Sequence, residues 1–302
     1  MKPPVFDYHD PETVDEALDL LAEHGDEGKV LAGGQSLVPL LNFRLAHPEN
    51  LIDLNRIGAL AGVRRESGVL QIGAMTRQAT VERSVLVSEN WPLLTEALTY
   101  VAHAQIRNRG TIGGSVAHAD PAAELPVVFT ALDARVQVRS TRGERTIEIA
   151  DLFVTHLTTT LEPDELLVGI SVDPTPPNSG HAFVEFARRH GDFALGGAAV
   201  QLTLDDAGRC ERAAIALLGA APVPLRATEA ERVLVGTAVD EKARAAAAEG
   251  AISDISPTGD IHGSAQYRRD LCQVMVSRAI AAAMRRAKGE PEPDASANGV
   301  PS

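Results

Sequence analysis

The stretch Asp173-Pro174-Thr175-Pro176-Pro177-Asn178-Ser179-Gly180 constrains this chain more than any other. Three prolines and a closing glycine within eight residues cannot continue a helix or a central strand, and they stiffen the backbone into a connector. Breaking 302 residues there leaves two pieces of ordinary domain size, roughly 100–200 residues each. The expected division is 1–175, itself made of subdomains at about 1–57 and 58–175, then 181–288, with 289–302 as a disordered tail. A hydrophobic content of 44% supplies cores for both pieces.

Local patterning makes the fold class α+β. Thr13-Val14-Asp15-Glu16 has the form of a capping box, and Val14, Ala17, Leu18 and Leu21 recur at helical spacing up to Gly25, so a helix is predicted over 13–24. Strand-like runs follow at 29–32, 51–54 and 69–72, and a helix beyond Pro92. Asp120-Pro121 reads as the cap and first residue of another helix, which Pro126 should kink or shorten. Alternation at 135–139, 146–149 and 166–172 indicates further strands. Past the proline cluster, three antiparallel strands are expected at 182–188, 198–204 and 213–218. Helices follow at 227–235, 241–249 and 264–288, the last presenting Leu271, Val274, Met275, Ala279 and Ala282 on one face.

Composition excludes several functions. A net charge of −13 and an aromatic content of 4% argue against nucleic acid, which is attracted by basic surfaces and stacked on rings. Cys210 and Cys272 are the two cysteines, far apart, so the chain carries neither a disulfide scaffold nor a four-thiolate cluster. The nine histidines form no HExxH and no grouping at metal spacing, so no metal is expected. No apolar run has the length of a signal peptide core or of a membrane span, and the expected compartment is the cytoplasm.

Chemistry concentrates in two glycine loops, Ala32-Gly33-Gly34-Gln35-Ser36 and Gly110-Thr111-Ile112-Gly113-Gly114-Ser115. Adjacent glycines permit positive φ and remove Cβ, so successive N–H groups can converge on an anion. Two such loops could grip a diphosphate from both sides, helped by the hydroxyls of Ser36, Thr111 and Ser115, although a Gly-Gly pair taken alone is more often just a tight turn. Neither fits GxGxxG, GxxxxGK[ST] or GxSxG. Ser115 and His118 lack an orienting third group, so no catalytic residue is assigned.

At these loops a resemblance enters. The segments AGGQSLVPLLNFRLAHPENLIDLNRI at 32–57, IGAMTRQATVERS at 72–84 and QIRNRGTIGGSVAHADPAAELP at 105–126 resemble the FAD-binding medium subunit of the molybdenum hydroxylases, the family of xanthine dehydrogenase and aerobic carbon monoxide dehydrogenase. ARRHGDFA at 187–194, VLVGTA at 233–238 and GSAQYRRDL at 263–271 are similar to that family's C-terminal flavoprotein domain.

The resemblance implies an FAD domain of the vanillyl-alcohol-oxidase (PCMH) type in two subdomains, plus a C-terminal α+β domain. It implies that Ala32, Gly33, Gly34, Gln35 and Ser36, with Thr111, Ile112, Gly113, Gly114 and Ser115, are diphosphate and ribityl contacts. Glu124 falls at the position of a carboxylate serving the adenosine ribose, with Asp120 capping the next helix. Leu167 matches an apolar residue beside the isoalloxazine, and Phe193 a ring placed against the flavin. Gln35 and Phe193 stand where the carbon monoxide dehydrogenase branch has His and Tyr, which weakens a carbon monoxide assignment. Arg107, Arg109, Arg188 and Arg189 are either salt-bridged surface residues or contacts for phosphate or an acidic partner.

Family members need a molybdenum cofactor and [2Fe–2S] clusters that this chain cannot hold. The resemblance therefore implies a large molybdopterin-binding subunit and a small [2Fe–2S] subunit, in a dimer of heterotrimers. Electrons would pass from the iron–sulfur subunit through FAD to NAD+, a quinone or dioxygen. A stand-alone flavin reductase of the same fold and a non-redox nucleotide-binding module are the competing readings.

Overall fold

A computed structural model describes residues 2–291; Met1 and most of the segment expected to be a disordered tail lie outside the described residues. The chain begins with a small parallel sheet of β1 (Asp7–His9), β2 (Gly28–Leu31) and β3 (Asn50–Asp53), in the order β1-β3-β2. The helix Val14–His24 covers it. Thr13 accepts from the Glu16 N–H while the Glu16 carboxylate accepts back from the Thr13 N–H, so the capping box forms as the sequence predicts. Ala17, Leu18 and Leu21 of that helix pack with Ile52 and Leu54.

A second sheet is antiparallel throughout. It comprises β4 (Val63–Glu66), β5 (Val69–Gly73), β6 (Arg135–Ser140) and β7 (Gly143–Glu148). Past a short hairpin, β8 (Phe153–Thr155) and β9 (Thr158–Thr159), it is completed by β10 (Leu166–Val172), in the order β4-β5-β10-β6-β7. The third sheet is β11 (Ser179–Phe186), β12 (Gly196–Leu204), β13 (Cys210–Leu218) and β14 (Leu225–Arg226), antiparallel and in sequence order. Asp205 to Gly208 makes the turn between β12 and β13, with Gly208 at φ 74°.

The helix Glu124–Ala131 explains how these layers hold together. From Leu125 to Ala131 every residue is buried, and a helix apolar on all sides must lie between two packing partners. Its core joins Leu70, Ile72 and Ile170 of the second sheet to Phe183, Ala199 and Leu218 of the third. Ion pairs close the seam at its end: Asp133 takes both Arg212 and Arg226, and Arg226 also holds Glu231.

Three expectations need correction. The helix expected from Asp120 starts at Glu124; the Asp120 carboxylate instead accepts from the Ala122 N–H at 2.9 Å, closing the turn ahead of it. Pro126 neither kinks nor shortens this helix, because it is the third residue, where the N–H has no helical acceptor to lose. In the long helix Ala265–Ala287 the buried face carries Arg268, Cys272, Met275, Val276, Ala279, Ile280 and Ala283. Val274 points outward, and Leu271 and Ala282 are half-buried.

Candidate functional site

Both glycine loops leave secondary structure at the same edge of the molecule. The first follows β2, the outer strand of the parallel sheet, and the second opens the short helix Ile112–His118. They touch through backbone. A Cβ added at Gly33 would stand 2.4 Å from the Arg109 carbonyl oxygen and 2.8 Å from the Gly110 Cα, and one at Gly114 would stand 3.2 Å from the Ala32 Cβ. Glycine is therefore required by closeness at Gly33 and by a positive φ of 73° at Gly34.

Beside the junction lies a cleft of about 410 Å³, lined by Ala32, Gly33, Gly34, Gln35, Val38, Pro39, Asp53, Asn55, Ile106 and Arg109, together with Leu31. The N–H groups of Gly33, Gly34, Gln35 and Ser36 have no acceptor among the described residues. Gln35 folds its amide back onto the Gly33 carbonyl at 2.9 Å, which holds the loop's curl. A row of unengaged N–H groups with a positive φ among them is the backbone arrangement from which anion nests are built. Arg109 adds a positive charge to the lining and makes no ion pair among the described residues.

The second loop differs from its expected role as a matching half of the grip. Ile112 N–H donates to the Thr76 carbonyl, Gly113 N–H to the Ala74 carbonyl at 2.8 Å, and Gly114 N–H to the Thr111 hydroxyl that caps the helix. Ser115 N–H donates to the Thr111 carbonyl. Gly113 is packed so closely that a Cβ there would stand 2.6 Å from the Ala74 Cβ. This loop is a wall against which the first loop is set, and its glycines serve packing.

The remaining expected site residues, Glu124 and Leu167 among them, lie outside the lining of this cleft. Leu167 is 5% exposed, on β10 within the central core. Phe193 is 74% exposed, on the turn after the Arg188–Asp192 ion pair. That turn rests on the segment ahead of the second loop: a Cβ at Gly191 would meet the His103 ring at 2.6 Å. Arg107 is held by both oxygens of Glu82 at 2.9 Å and is only 12% exposed, which makes it a structural ion pair.

Burial pushes the Glu124 carboxyl up to about 7, with Asp120 adding to the effect and Arg107 opposing it. Glu185 on β11 is pushed up to about 8 by burial and by the Glu124 charge. Both cysteine thiols are raised to about 11 by burial. Among the described residues no group of three His, Cys, Asp or Glu could hold a metal ion, and no helix is long and apolar enough to cross a membrane.

Sequence reasoning passed over Asp53, Asn55 and Arg77, although all three lie inside segments quoted above. Asn55 donates to the Ala32 carbonyl at 2.9 Å, and Asp53 accepts from the Tyr8 hydroxyl at 2.7 Å. Their signal was weak because each acts on a residue distant in sequence.

Residues 4–176 match the family described as FAD binding domain in molybdopterin dehydrogenase, and residues 181–283 match the CO dehydrogenase flavoprotein C-terminal domain. The chain belongs to the FAD-binding medium-subunit family of the molybdenum hydroxylases. It is 50% identical to the 6-hydroxypseudooxynicotine dehydrogenase complex subunit alpha of Paenarthrobacter nicotinovorans, over 95% of this chain and 97% of that one. It is 41% identical to the nicotine 6-hydroxylase medium subunit of the same organism, over 95% of this chain and all of that one. Among solved structures, the carbon monoxide dehydrogenase of Hydrogenophaga pseudoflava superposes with a TM-score of 0.93 at 40% identity, covering 95% of this chain and 99% of its counterpart. The family is one of oxidoreductase subunits, and its cofactor is FAD. The cleft fits that cofactor's phosphates, since its lining offers the unengaged N–H groups of Gly33, Gly34 and Gln35, the Arg109 guanidinium, and no Cβ at the closest approach of the two loops.

Proposed function

We propose that this chain carries electrons out of a molybdenum hydroxylase assembly, taking them from a [2Fe–2S] subunit and delivering them to NAD+, a quinone or dioxygen. The observation that supports this most is the row of unengaged N–H groups from Gly33 to Ser36, of which Gly33, Gly34 and Gln35 line the wall of a cleft of about 410 Å³. FAD, when bound, supplies the redox chemistry, because it can take electrons singly and give them up in pairs. The chain's own residues bind and orient it. Gly33 to Ser36 donate to phosphate oxygens and Arg109 balances their charge; of the facing loop's two expected hydroxyls, Ser115 is the one left for a ligand, since that of Thr111 is buried and caps the Gly114 N–H. Glu124, Leu167 and Phe193 belong to the expected ribose and ring contacts; of these, the exposed ring of Phe193 stands freest to cover a flavin face.

No side chain is needed as nucleophile or obligatory acid or base, so the substrate is chosen in another subunit. Relatives named for 6-hydroxypseudooxynicotine dehydrogenase and nicotine 6-hydroxylase favour an aromatic nitrogen heterocycle, and Gln35 and Phe193 separately weaken a carbon monoxide assignment. The assembly proposed is a dimer of heterotrimers with a large molybdopterin-binding and a small iron–sulfur subunit, and the chain divides functionally near 176–181. Co-expression of the three chains tests this. The expected result is co-purification with flavin and iron in the complex and substrate-dependent reduction of one acceptor class; a chain that purifies alone and reduces its own small substrate would contradict it.

A further inference from the structure

A hydrogen-bonded chain runs behind the wall of the cleft. The Arg77 guanidinium donates through Nη2 to the Asn55 carboxamide oxygen at 2.6 Å and through Nη1 to the Arg109 carbonyl oxygen at 2.5 Å. Asn55 in turn donates to the Ala32 carbonyl, and its N–H is held at 2.9 Å by Asp53, which is itself held by Tyr8. Ala32 begins the first glycine loop, and Arg109 is the residue on which Gly33 closes. One planar fork thus spans the two segments whose separation sets the width of the cleft. Its acceptors are neutral oxygens, and it makes no ion pair among the described residues, unlike the Arg107–Glu82 pair nearby.

We infer that Arg77 is a positioning residue for the dinucleotide, acting with Asn55 to fix the first loop against the second so that the Gly33–Ser36 N–H groups stay convergent. This rests on the cleft being the FAD site. The guanidinium suits the task because it carries donors in a rigid plane, whereas a lysine ammonium could reach one acceptor and would leave the other. Arg77 lies outside the lining of the cleft, so it acts through the loops.

The test uses the full chain. Arg77→Met, Asn55→Ala and the double variant are purified, and the rate of FAD dissociation is followed by recovery of flavin fluorescence, alongside the melting temperature of each flavin-free protein. Losing hydrogen bonds from a charged donor is expected to speed release by about tenfold to a hundredfold in each single variant. The double variant should release no faster than the worse single one, because both cut one brace. Flavin-free melting temperatures should match the wild type. Release at the wild-type rate from Arg77→Met, or independent effects that multiply in the double variant, would overturn the inference; so would flavin-free melting that falls in step with flavin loss. Should Arg77→Met fail to fold, Arg77→Lys decides instead: it keeps the charge but reaches one acceptor, and release at the wild-type rate from it would overturn the inference. A wild-type chain that never binds FAD would instead overturn the functional reading beneath it.

Discussion

Gly33 and Arg109 are in backbone contact: the space where a Gly33 Cβ would sit is taken, at 2.4 Å, by the Arg109 carbonyl oxygen. A single methyl group at Gly33 must therefore push the two loops apart, since neither partner is a flexible side-chain end. Gly33→Ala is expected to lower stability by about 1–3 kcal/mol through overpacking and to purify with much less flavin. Absorbance near the flavin band per mole of protein, with urea unfolding, checks both. The neighbouring glycine at 113 is a poorer probe of binding, because its substitution strikes the Ala74 Cβ and damages packing directly.

Arg107 should matter to stability and not to phosphate. Removing it strands Glu82, whose side chain is 19% exposed, without its bidentate partner. Arg107→Leu is expected to cost about 2–4 kcal/mol, and the added change Glu82→Leu to recover most of it. Urea melts of the four proteins of this cycle measure it. A flavin affinity lost in Arg107→Leu and not restored by the second change would count against the assignment.

Glu185 gives the protein a pH dependence of definite sign. Its carboxyl is raised by burial from 4.5 to about 8, and the Glu124 carboxyl, which faces it across the seam, to about 7. Between these limits the native state holds protons that the unfolded chain releases, so stability falls as pH rises from about 4.5 to 8. Glu185→Gln keeps the shape and removes the titration. The variant should gain roughly 1–2 kcal/mol over the wild type at alkaline pH and show a flatter profile. Parallel profiles for the two proteins would refute this.

Thr111 caps the helix Ile112–His118 through its hydroxyl, 3.1 Å from the Gly114 nitrogen, and is 2% exposed. Thr111→Val retains the shape but leaves a buried N–H without an acceptor. A loss of about 1–2 kcal/mol is expected, with weaker flavin retention because the wall beneath Gly33 loosens. Thr111→Ser should restore most of the stability.

What could be read in advance follows the range of the interactions. The Thr13 capping box and the conformational freedom of Gly34 are properties of four or five adjacent residues, and both appear where the sequence puts them. The brace from Asn55 to Arg77 to Arg109 joins residues 22 and 32 positions apart, so local pattern carries no trace of it. The long C-terminal helix misled for a different reason. Its 23 residues are rich in alanine on all sides, and its buried face includes Arg268, whose two terminal nitrogens donate to the Leu195 carbonyl and Asp260 while its Nε stays without an acceptor among the described residues. A hydrophobic stripe read from sequence cannot anticipate a buried arginine that finds distant partners. Likewise, nothing local says that the Gly113 N–H is already engaged, by the Ala74 carbonyl 39 positions earlier, whereas the Thr111 cap on Gly114 is a local pattern.

The central claim is that the Gly33–Ser36 loop holds the diphosphate of FAD. Calorimetric titration of the flavin-free full chain with FAD and, separately, with riboflavin tests it most directly, since the two ligands share the ring system and differ in the phosphates and adenosine. One FAD should bind per chain, riboflavin should bind at least about a hundredfold more weakly, and ADP should compete. Riboflavin binding as tightly as FAD, or no binding of FAD at all, would contradict it.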